Sequence, residues 1–205
     1  VRVLFYSKEG ILSTPINVCS KFIVMFIIFG AFLERTGIAD FFIQIANAVV
    51  GGFSGGPAKV AVVASALEGM VSGSSVANTV GSGSVTIPLM KKTGYKPEFA
   101  AAAEASASTG GQIMPPIMGA AAFLMADIVG VPYSNIVVRA ILPAVLYFAG
   151  IFIAVHLEAK KEGLRGLNKE DLPKGKEILP KLYLIVPLVV LVYMIINGKT
   201  MATAA

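Results

Sequence analysis

Residues Glu68 to Ser84 read EGMVSGSSVANTVGSGS, and this stretch decides the fold. It belongs to an uncharged run from Gly69 to Met90, whose 22 residues are enough to cross a bilayer. Twelve of the 22 are Gly, Ser, Thr or Asn, which is not the composition of a helix that faces lipid. Non-helical backbone survives at membrane depth only where protein buries it or it lines a wet cavity. The run therefore predicts a re-entrant hairpin over residues 59–96, with its tip near Ser72 to Asn78.

A second uncharged run of 22 residues, Ala105 to Ala126, has the same anomaly. It is interrupted by TGGQIMPP, Thr109 to Pro116, in which the glycines and prolines stop a helix. We therefore expect a discontinuous helix over residues 97–130. Secondary transporters build midplane binding sites from such broken helices, so two of them in one short chain indicate a transport site.

The composition places both runs in a membrane protein. Of 205 residues, 56% are hydrophobic and only 14% are charged, which is too apolar for a soluble domain. Cys19 is the single cysteine, so no internal disulfide is expected. The net charge of +5 is more typical of cytoplasmic loops than of a nucleic-acid surface. The predicted fold class is an all-α integral membrane protein with no nucleic-acid partner, no cofactor and the lipid bilayer as its surroundings.

The rest of the chain divides by charge and hydropathy. After the first apolar stretch, an amphipathic segment carries Ile38, Phe41, Phe42, Ile45 and Val49 on one face, which predicts a helix along the membrane interface. The run GGFSGGP, Gly51 to Pro57, ends that helix. The remaining predicted segments are a first transmembrane span in residues 1–35, the interfacial arm helix with its Gly-rich loop in 36–58, spans in 131–159 and 182–205, and a charged cytoplasmic loop in 160–181.

The basic residues indicate an orientation. If the hairpin enters and leaves on the cytoplasmic face, that face receives 12 of the 17 Lys and Arg residues. These are Arg35, Lys59, Lys91, Lys92, Lys96 and seven in the charged loop, including Lys169. The positive-inside rule supports this orientation.

The two breaks carry the candidate binding chemistry. Half-helices that meet at a break leave unpaired carbonyls at one helix end and unpaired N–H groups at the other, which suit a cation and a carboxylate. Neutral hydroxyl, amide and carbonyl oxygens replace the hydration shell of Na⁺, and glycines allow close approach. The candidate ion- and substrate-binding residues are Ser72, Gly73, Ser74, Ser75, Asn78, Thr109, Gly110, Gly111, Pro115 and Pro116, with Na⁺ at Ser72, Ser74, Asn78, Thr109 and Gly110. The competing explanation is that the small residues only permit tight helix packing.

Two carboxylates flank the breaks. Glu68 precedes the first and Glu104 precedes the second, and an intramembrane carboxylate is a functional candidate. Each carries a coupling proton, orders the site, or is a hydrogen-bonded packing element.

The strings SGSSVANTVGSGSVTIPLMKKTGY, from Ser72, and EASASTGGQIMPPIMGAAAFLMADIVGVPY, from Glu104, resemble the large membrane subunit of tripartite ATP-independent periplasmic (TRAP) transporters. The strings resemble in particular the fused permeases of the TAXI subfamily. The resemblance covers about Gly10 to Lys161, roughly three quarters of the chain.

This resemblance implies a Na⁺-coupled elevator importer with inverted repeats in a bacterial or archaeal inner membrane. Its substrate would be a small organic anion, a carboxylate such as a C4-dicarboxylate or an amino acid, delivered by a periplasmic binding protein. The small TRAP membrane subunit or its fused equivalent would be a further partner. By position, Ser72 to Asn78 would be the hairpin tip and Thr109 to Pro116 its unwound partner, around one Na⁺. No second serine-rich tip follows Lys161, so we expect a fragment with about half of a transport domain.

Other functions fit less well. Gly52-Phe53-Ser54-Gly55 matches the GxSG motif of intramembrane serine proteases, but the one base available is His156, which has no evident reason to meet Ser54. Phosphate-loop and dinucleotide motifs fail at Pro57 and Thr86, so ATP hydrolysis is not expected and the chain is not predicted to be an enzyme. An ion channel is the remaining alternative, because rings of hydroxyls and carbonyls also select ions.

Overall fold

The computed structural model of the chain describes residues 13–167, 172–173 and 175–197, together with Val3, Phe5 and Gly10. In this part of the chain the regular elements are helices and no strand is present, which confirms the all-α class. Three helical stretches are long and apolar enough to cross a membrane, namely Ile16–Arg35, Tyr133–Lys161 and Leu179–Ile196.

The helices are numbered here in chain order. They are α1 (Thr14–Val18), α2 (Val24–Arg35), α3 (Ile38–Val50), α4 (Gly56–Ser72), α5 (Ser75–Gly81), α6 (Gly83–Lys92), α7 (Pro97–Gly110), α8 (Ala120–Val129), α9 (Tyr133–Lys161), α10 (Gly175–Ile178) and α11 (Val186–Ile196). A π-helical turn, Cys19–Ile23, joins α1 to α2, and 3-10 helices occupy Gly111–Ile113 and Leu179–Ile185.

Helices α4 to α6 form a hairpin whose two ends meet at its base. The Tyr95 hydroxyl donates to the Gly55 carbonyl at 3.3 Å. Burial, helped by the charge of Glu158, raises the pKa of Tyr95 to about 12, so this hydroxyl keeps its hydrogen. Lys96 Nζ lies 3.4 Å from the Glu162 carboxylate, just beyond the end of α9. The hairpin therefore enters and leaves on the side of the molecule where α9 ends.

Helix α3 packs along α4 from the hairpin tip to the base. Ile38 shares a core cluster with Val71 near the tip, and Val50 shares another with Val60 near the base. Most of the apolar face that predicts an interfacial helix is therefore covered by protein. The buried face differs from the predicted apolar face at one position. Val49, which belongs to the predicted face, is 61% exposed, whereas its neighbour Val50 is buried.

The course of α3 corrects the expected position of Arg35. The 13 residues of α3 rise about 20 Å, and Arg35 precedes the end of α3 that lies near the tip. Arg35 is therefore separated from Lys96 instead of sharing a face with it. Lys59 does lie at the base, where it is buried with its ammonium 5.7 Å from the Phe53 ring centroid and 5.3 Å from that of Phe152.

Aromatic side chains hold the far part of the second broken helix. Phe123 on α8 stacks on Tyr133 with ring centroids 4.6 Å apart and lies 5.2 Å from the ring of Phe26 on α2. The Tyr133 hydroxyl also donates to the Pro116 carbonyl at 2.9 Å. These contacts fasten α8 and the unwound segment to the start of α9 and to α2.

Where the structure describes it, the predicted charged loop, 160–181, contacts the turn that follows α3 and the middle of α3. The amide of Leu167 donates to the Gly51 carbonyl at 2.9 Å, and Lys181 Nζ donates to Gln44 Oε1 at 3.1 Å. The loop includes the short helix α10. Residues 168–171 and 174, and with them Lys169, lie outside the described residues, as do residues 198–205 of the predicted last span.

Candidate functional site

The first break turns the chain within two residues. Helix α4 ends at Ser72, Gly73 has a φ of +57°, where a side chain is disfavoured, and Ser74 is extended. Ser74 Oγ accepts a hydrogen bond from the Ala77 amide at 3.3 Å and so caps α5. The turn falls within the stretch Ser72 to Asn78 that the sequence singles out.

Asn78 lies one helical turn after this break and is completely buried. Its Oδ1 accepts from the Ser72 hydroxyl at 2.5 Å, and its Nδ2 donates to the Ser65 carbonyl at 3.3 Å. The side chain therefore connects the two limbs of the hairpin just below the tip. An amide oxygen and a hydroxyl oxygen are brought together there at the C-terminal end of α4, where helix carbonyls lack intrahelical partners.

The second break packs directly on the first. Helix α7 ends at Gly110, and the 3-10 turn that follows brings the Gly111 backbone against Gly69 and the Asn78 amide. A Cβ at Gly111 would lie 3.0 Å from the Gly69 Cα and would clash with Asn78 Nδ2. Gln112 Nε2 donates to Ser75 Oγ at 2.8 Å, which adds a side-chain link across the two breaks.

A cavity of about 320 Å³ opens beside the tip. Its polar lining comes from both breaks, with Ser72, Gly73 and Ser74 from the first and Gln112 and Gly119 from the second. Apolar side chains of α2 and α8 complete it, among them Phe26 and Phe123. The cavity therefore joins a small polar patch made of helix ends to an apolar wall.

The structure does not bring every predicted site residue to this cluster. Thr109 is exposed, and its hydroxyl donates to the Ala105 carbonyl of its own helix at 2.8 Å. Gly110 faces α9, where a Cβ would lie 2.7 Å from the rings of Tyr147 and Phe148. Thr109 and Gly110 are predicted from the sequence to share one Na⁺ with the residues of the hairpin tip, but both face away from the tip. Gly111 occupies the place expected for Gly110.

The two prolines of the second break also lie apart from the tip. Pro115 and Pro116 are joined by a cis peptide bond and line a separate apolar groove together with Met70 and Val137. Their part in the break is to interrupt the helix ladder, because neither donates a backbone hydrogen bond.

Glu104 lies at the centre of a buried hydroxyl cage, as in the hydrogen-bonded alternative, although the sequence does not predict which hydroxyls form it. Its carboxyl group is fully buried and accepts from four hydroxyl groups, those of Ser65, Ser82, Thr86 and Ser108. Spacings of four residues, Ser82 to Thr86 and Glu104 to Ser108, were the available signal, since they place each pair on one helix face.

Glu68 is buried next to this cage, only 5% exposed. A Cβ at Gly81 would clash with its carboxyl oxygen, so the small residue gives this carboxyl group its space. The two carboxylates that flank the breaks in sequence are thus both buried behind the tip, Glu68 on the hairpin itself and Glu104 on α7 where it packs against the hairpin.

The protease motif is brought closer to His156 than its sequence position suggests. Gly55 packs against α9 near Val155 and Ala159, so Ser54 and His156 belong to neighbouring segments, contrary to expectation. The Ser54 hydroxyl donates to the Leu164 carbonyl at 3.0 Å, however, while His156 Nδ1 lacks a hydrogen-bond partner. A nucleophile must be hydrogen-bonded to its base, and this serine is committed to a loop carbonyl.

Comparison with known proteins identifies the family. The family model described as "Tripartite ATP-independent periplasmic transporter, DctM component" matches residues 8–205. The chain belongs to this family of TRAP transporter large permeases. It is therefore a membrane permease component and not an enzyme.

The relatives of this DctM-family chain align with different shares of its length. It is 34% identical over 157 residues to the C4-dicarboxylate TRAP transporter large permease protein DctM of Vibrio cholerae, which covers 77% of this chain and 34% of the relative. It is 28% identical over 179 residues to the protein of the same name from Pseudomonas aeruginosa, covering 84% and 42%. The isethionate TRAP transporter permease protein DctMQ of Oleidesulfovibrio alaskensis is 33% identical over 94 residues, covering 46% and 15%. The matched part of the chain thus spans 34% and 42% of the length of the first two relatives.

Proposed function

We propose that this chain forms one half of the transport domain of a Na⁺-coupled permease that imports a small organic anion. The observation that carries the proposal is the meeting of two broken helices at Asn78 and Gly111. Discontinuous helices that converge inside a membrane protein are the usual framework of a coupled ion and substrate site. Membership of the TRAP large permease family agrees with this function.

The ion would lie at the tip of the hairpin. Ser72 Oγ and Asn78 Oδ1 are neutral oxygens in contact with each other, and they adjoin the C-terminal end of α4. Carbonyls at a helix C-terminus carry partial negative charge, which favours a cation. The close backbone approach of Gly69 and Gly111 lets the second break contribute carbonyl oxygens to the same place.

The substrate would be anionic and would enter the cavity beside the tip. Its lining includes Gln112 and the start of α8, which has no side-chain cap, and contains apolar residues beyond them. The relatives are named for C4-dicarboxylates and isethionate, which are small organic anions. No Lys or Arg lines this cavity among the residues described, so helix N–H groups and Gln112 would meet the substrate's negative charge.

The proposal includes the partners of a complete system. A periplasmic binding protein would deliver the substrate, and the small TRAP membrane subunit, separate or fused as in the TAXI type, would complete the permease. The rest of the large subunit would supply a second, inverted copy of the hairpin and broken helix. The assembly would lie in the inner membrane of a bacterium or archaeon as a multi-pass protein.

The test is uptake by the full-length permease in proteoliposomes with its binding protein and radiolabelled C4-dicarboxylate, isethionate or amino acid. Substrate-dependent, saturable uptake driven by an inward Na⁺ gradient, and absent with choline, is the expected result. Equal uptake without Na⁺ would contradict the coupling. Unitary currents in planar bilayers would instead indicate a channel.

A further inference from the structure

The hydroxyl cage around Glu104 joins three helices. Ser65 belongs to α4, Ser82 and Thr86 to the returning limb of the hairpin, and Glu104 and Ser108 to α7. Oε1 accepts from Ser65 at 3.1 Å, Ser82 at 2.6 Å and Ser108 at 3.1 Å, and Oε2 accepts from Thr86 at 2.5 Å. The ion pairs of the described residues, Lys96 with Glu162 and Lys161 with Glu158, do not include Glu104. Hydroxyl groups therefore hold this carboxyl group in place of a cation.

Each hydroxyl of the cage has one hydrogen, and three of them have a second acceptor in reach. Ser65 Oγ is 3.2 Å from Ser82 Oγ. Ser82 Oγ is 2.8 Å from the Asn78 carbonyl, and Thr86 Oγ1 is 3.0 Å from the Ser82 carbonyl. A carboxylate is a stronger acceptor than a backbone carbonyl. Glu104 therefore draws these hydroxyls away from their own helix and across to α7.

Two cage residues also hold Asn78. The Ser65 carbonyl accepts from Asn78 Nδ2, and Ser82 follows Asn78 by one turn and donates its amide to the Asn78 carbonyl at 2.9 Å. Thr86 and Ser108 have no hydrogen bond to Asn78 in the structure. The cage thus contains one pair of hydroxyl residues linked to the tip and one pair that is not.

We propose that Glu104 is a positioning residue for the ion site: by fixing Ser65 and Ser82, it sets the place of the Asn78 amide between the two breaks. This inference rests on the proposed function, because it assumes that Asn78 contributes to Na⁺ binding. Glu104 does not contact the ion. Through Ser65 and Ser82, Glu104 determines how far the Asn78 amide oxygen is exposed to the ion.

The test compares Ser82→Ala with Ser108→Ala in the full-length permease. Both remove one hydroxyl from the same carboxyl oxygen, but only Ser82 lies one turn after Asn78 and donates its amide to the Asn78 carbonyl. We expect Ser82→Ala to raise the Na⁺ concentration for half-maximal uptake about three- to tenfold, as for one lost hydrogen bond, and Ser108→Ala to change it by less than about twofold. Ser65→Ala should raise the half-maximal Na⁺ concentration as Ser82→Ala does. Thr86→Val should leave it nearly unchanged, as Ser108→Ala does.

Glu104→Gln extends the test to the carboxyl group itself. The amide keeps the size but lowers the acceptor strength, so the half-maximal Na⁺ concentration should rise while Glu98→Gln, exposed on the same helix, leaves it unchanged. Na⁺-dependent thermal stabilisation of the purified protein should shift in parallel. A merely structural cage would instead lower stability and maximal rate alike in all four hydroxyl variants, with unchanged Na⁺ dependence, and that outcome would overturn the inference. Na⁺-independent uptake by the unmodified protein would overturn the proposed function as well.

Discussion

Asn78 is the side chain on which the two breaks converge. It is completely buried in a turn of α5, and it reaches Ser72 and Ser65 across the hairpin. A buried amide that is bonded on both sides keeps a single orientation, because each lost bond leaves a desolvated polar group. This orientation presents its oxygen towards the end of α4, which is where the proposed ion would be bound.

Replacement of Asn78 by Ala should therefore weaken Na⁺ coupling. We expect the Na⁺ concentration for half-maximal uptake to rise by about ten- to a hundredfold, the loss typical of one hydrogen-bonding group to a charge. The free energy of unfolding should fall by about 1–3 kcal/mol, because Ser65 and Ser72 lose their partner. Uptake against Na⁺ concentration in proteoliposomes and thermal denaturation measure the two effects.

Thr79→Ala is the matched control for this substitution. The Thr79 hydroxyl bonds only to the Ser75 carbonyl of its own helix at 2.8 Å. Its removal should leave Na⁺ dependence unchanged, and an Asn78→Ala protein that behaved the same way would rule out Asn78 as an ion ligand.

At the scale of the elements, the site depends on how closely two interrupted helices approach. Gly69 on α4 and Gly111 after α7 touch with their backbones, and Gly73 packs with its backbone against Met118. Side chains at these positions would separate the breaks. All three glycines therefore allow close backbone contact. Gly73 also allows the turn, because it alone of the three has a positive φ.

Gly111→Ala should consequently disrupt transport although it adds only one methyl group. The new Cβ would displace the Asn78 amide and press on the Gly69 Cα, which is backbone and cannot rotate away. We expect Na⁺-driven uptake to fall at least about tenfold and stability to fall by about 1–3 kcal/mol. Reconstituted uptake and thermal denaturation of the full-length protein are the measurements.

Gly150→Ala provides the comparison, since nothing lies within 4 Å of a Cβ at that position of α9. It should retain transport and be up to about 1 kcal/mol more stable, because Ala is the better helix former. Normal uptake by Gly111→Ala would show that the breaks pack loosely and do not form one site.

At the scale of the whole molecule, the hairpin base and the end of α9 form one pole. Tyr95 contacts Gly55, and Lys96 pairs with Glu162, so the basic residues near them lie on one side. Helix α9 has 29 residues and is about 40 Å long, which separates this pole from Tyr133 by the thickness of a bilayer. Large apolar side chains such as Leu142 and Leu146 are exposed along it, as expected for a helix surrounded by lipid or by the rest of the permease.

The positive-inside rule then predicts that Lys96 is cytoplasmic. In a Cys19→Ser background, Lys96→Cys should resist an impermeant thiol reagent in intact cells and react after permeabilisation. Asn135→Cys, at the opposite end of α9, should show the reverse pattern. Labelling of Lys96→Cys in intact cells would show that the orientation is the reverse of the predicted one.

Local chemistry was sufficient to predict where the helices stop. Gly51 to Pro57, the Ser72 to Asn78 stretch and Thr109 to Pro116 all interrupt helices in the structure, because glycine, proline and serine act on the backbone within one turn. The all-α class and the apolar spans also follow from composition and length. None of these features depends on what lies next to a residue in space.

Tertiary structure decided which side of each helix faces the site. A helix rotates by about 100° per residue, so Gly111 meets Asn78 while Gly110, one residue earlier, meets Tyr147. The same rotation collects Ser65, Ser82, Thr86 and Ser108 around Glu104 from three separate helices, and it lays one face of α3 against α4. Rotation and partner choice are set by packing against distant residues, which is why the sequence alone determined the breaks and only the folded chain determined the site between them.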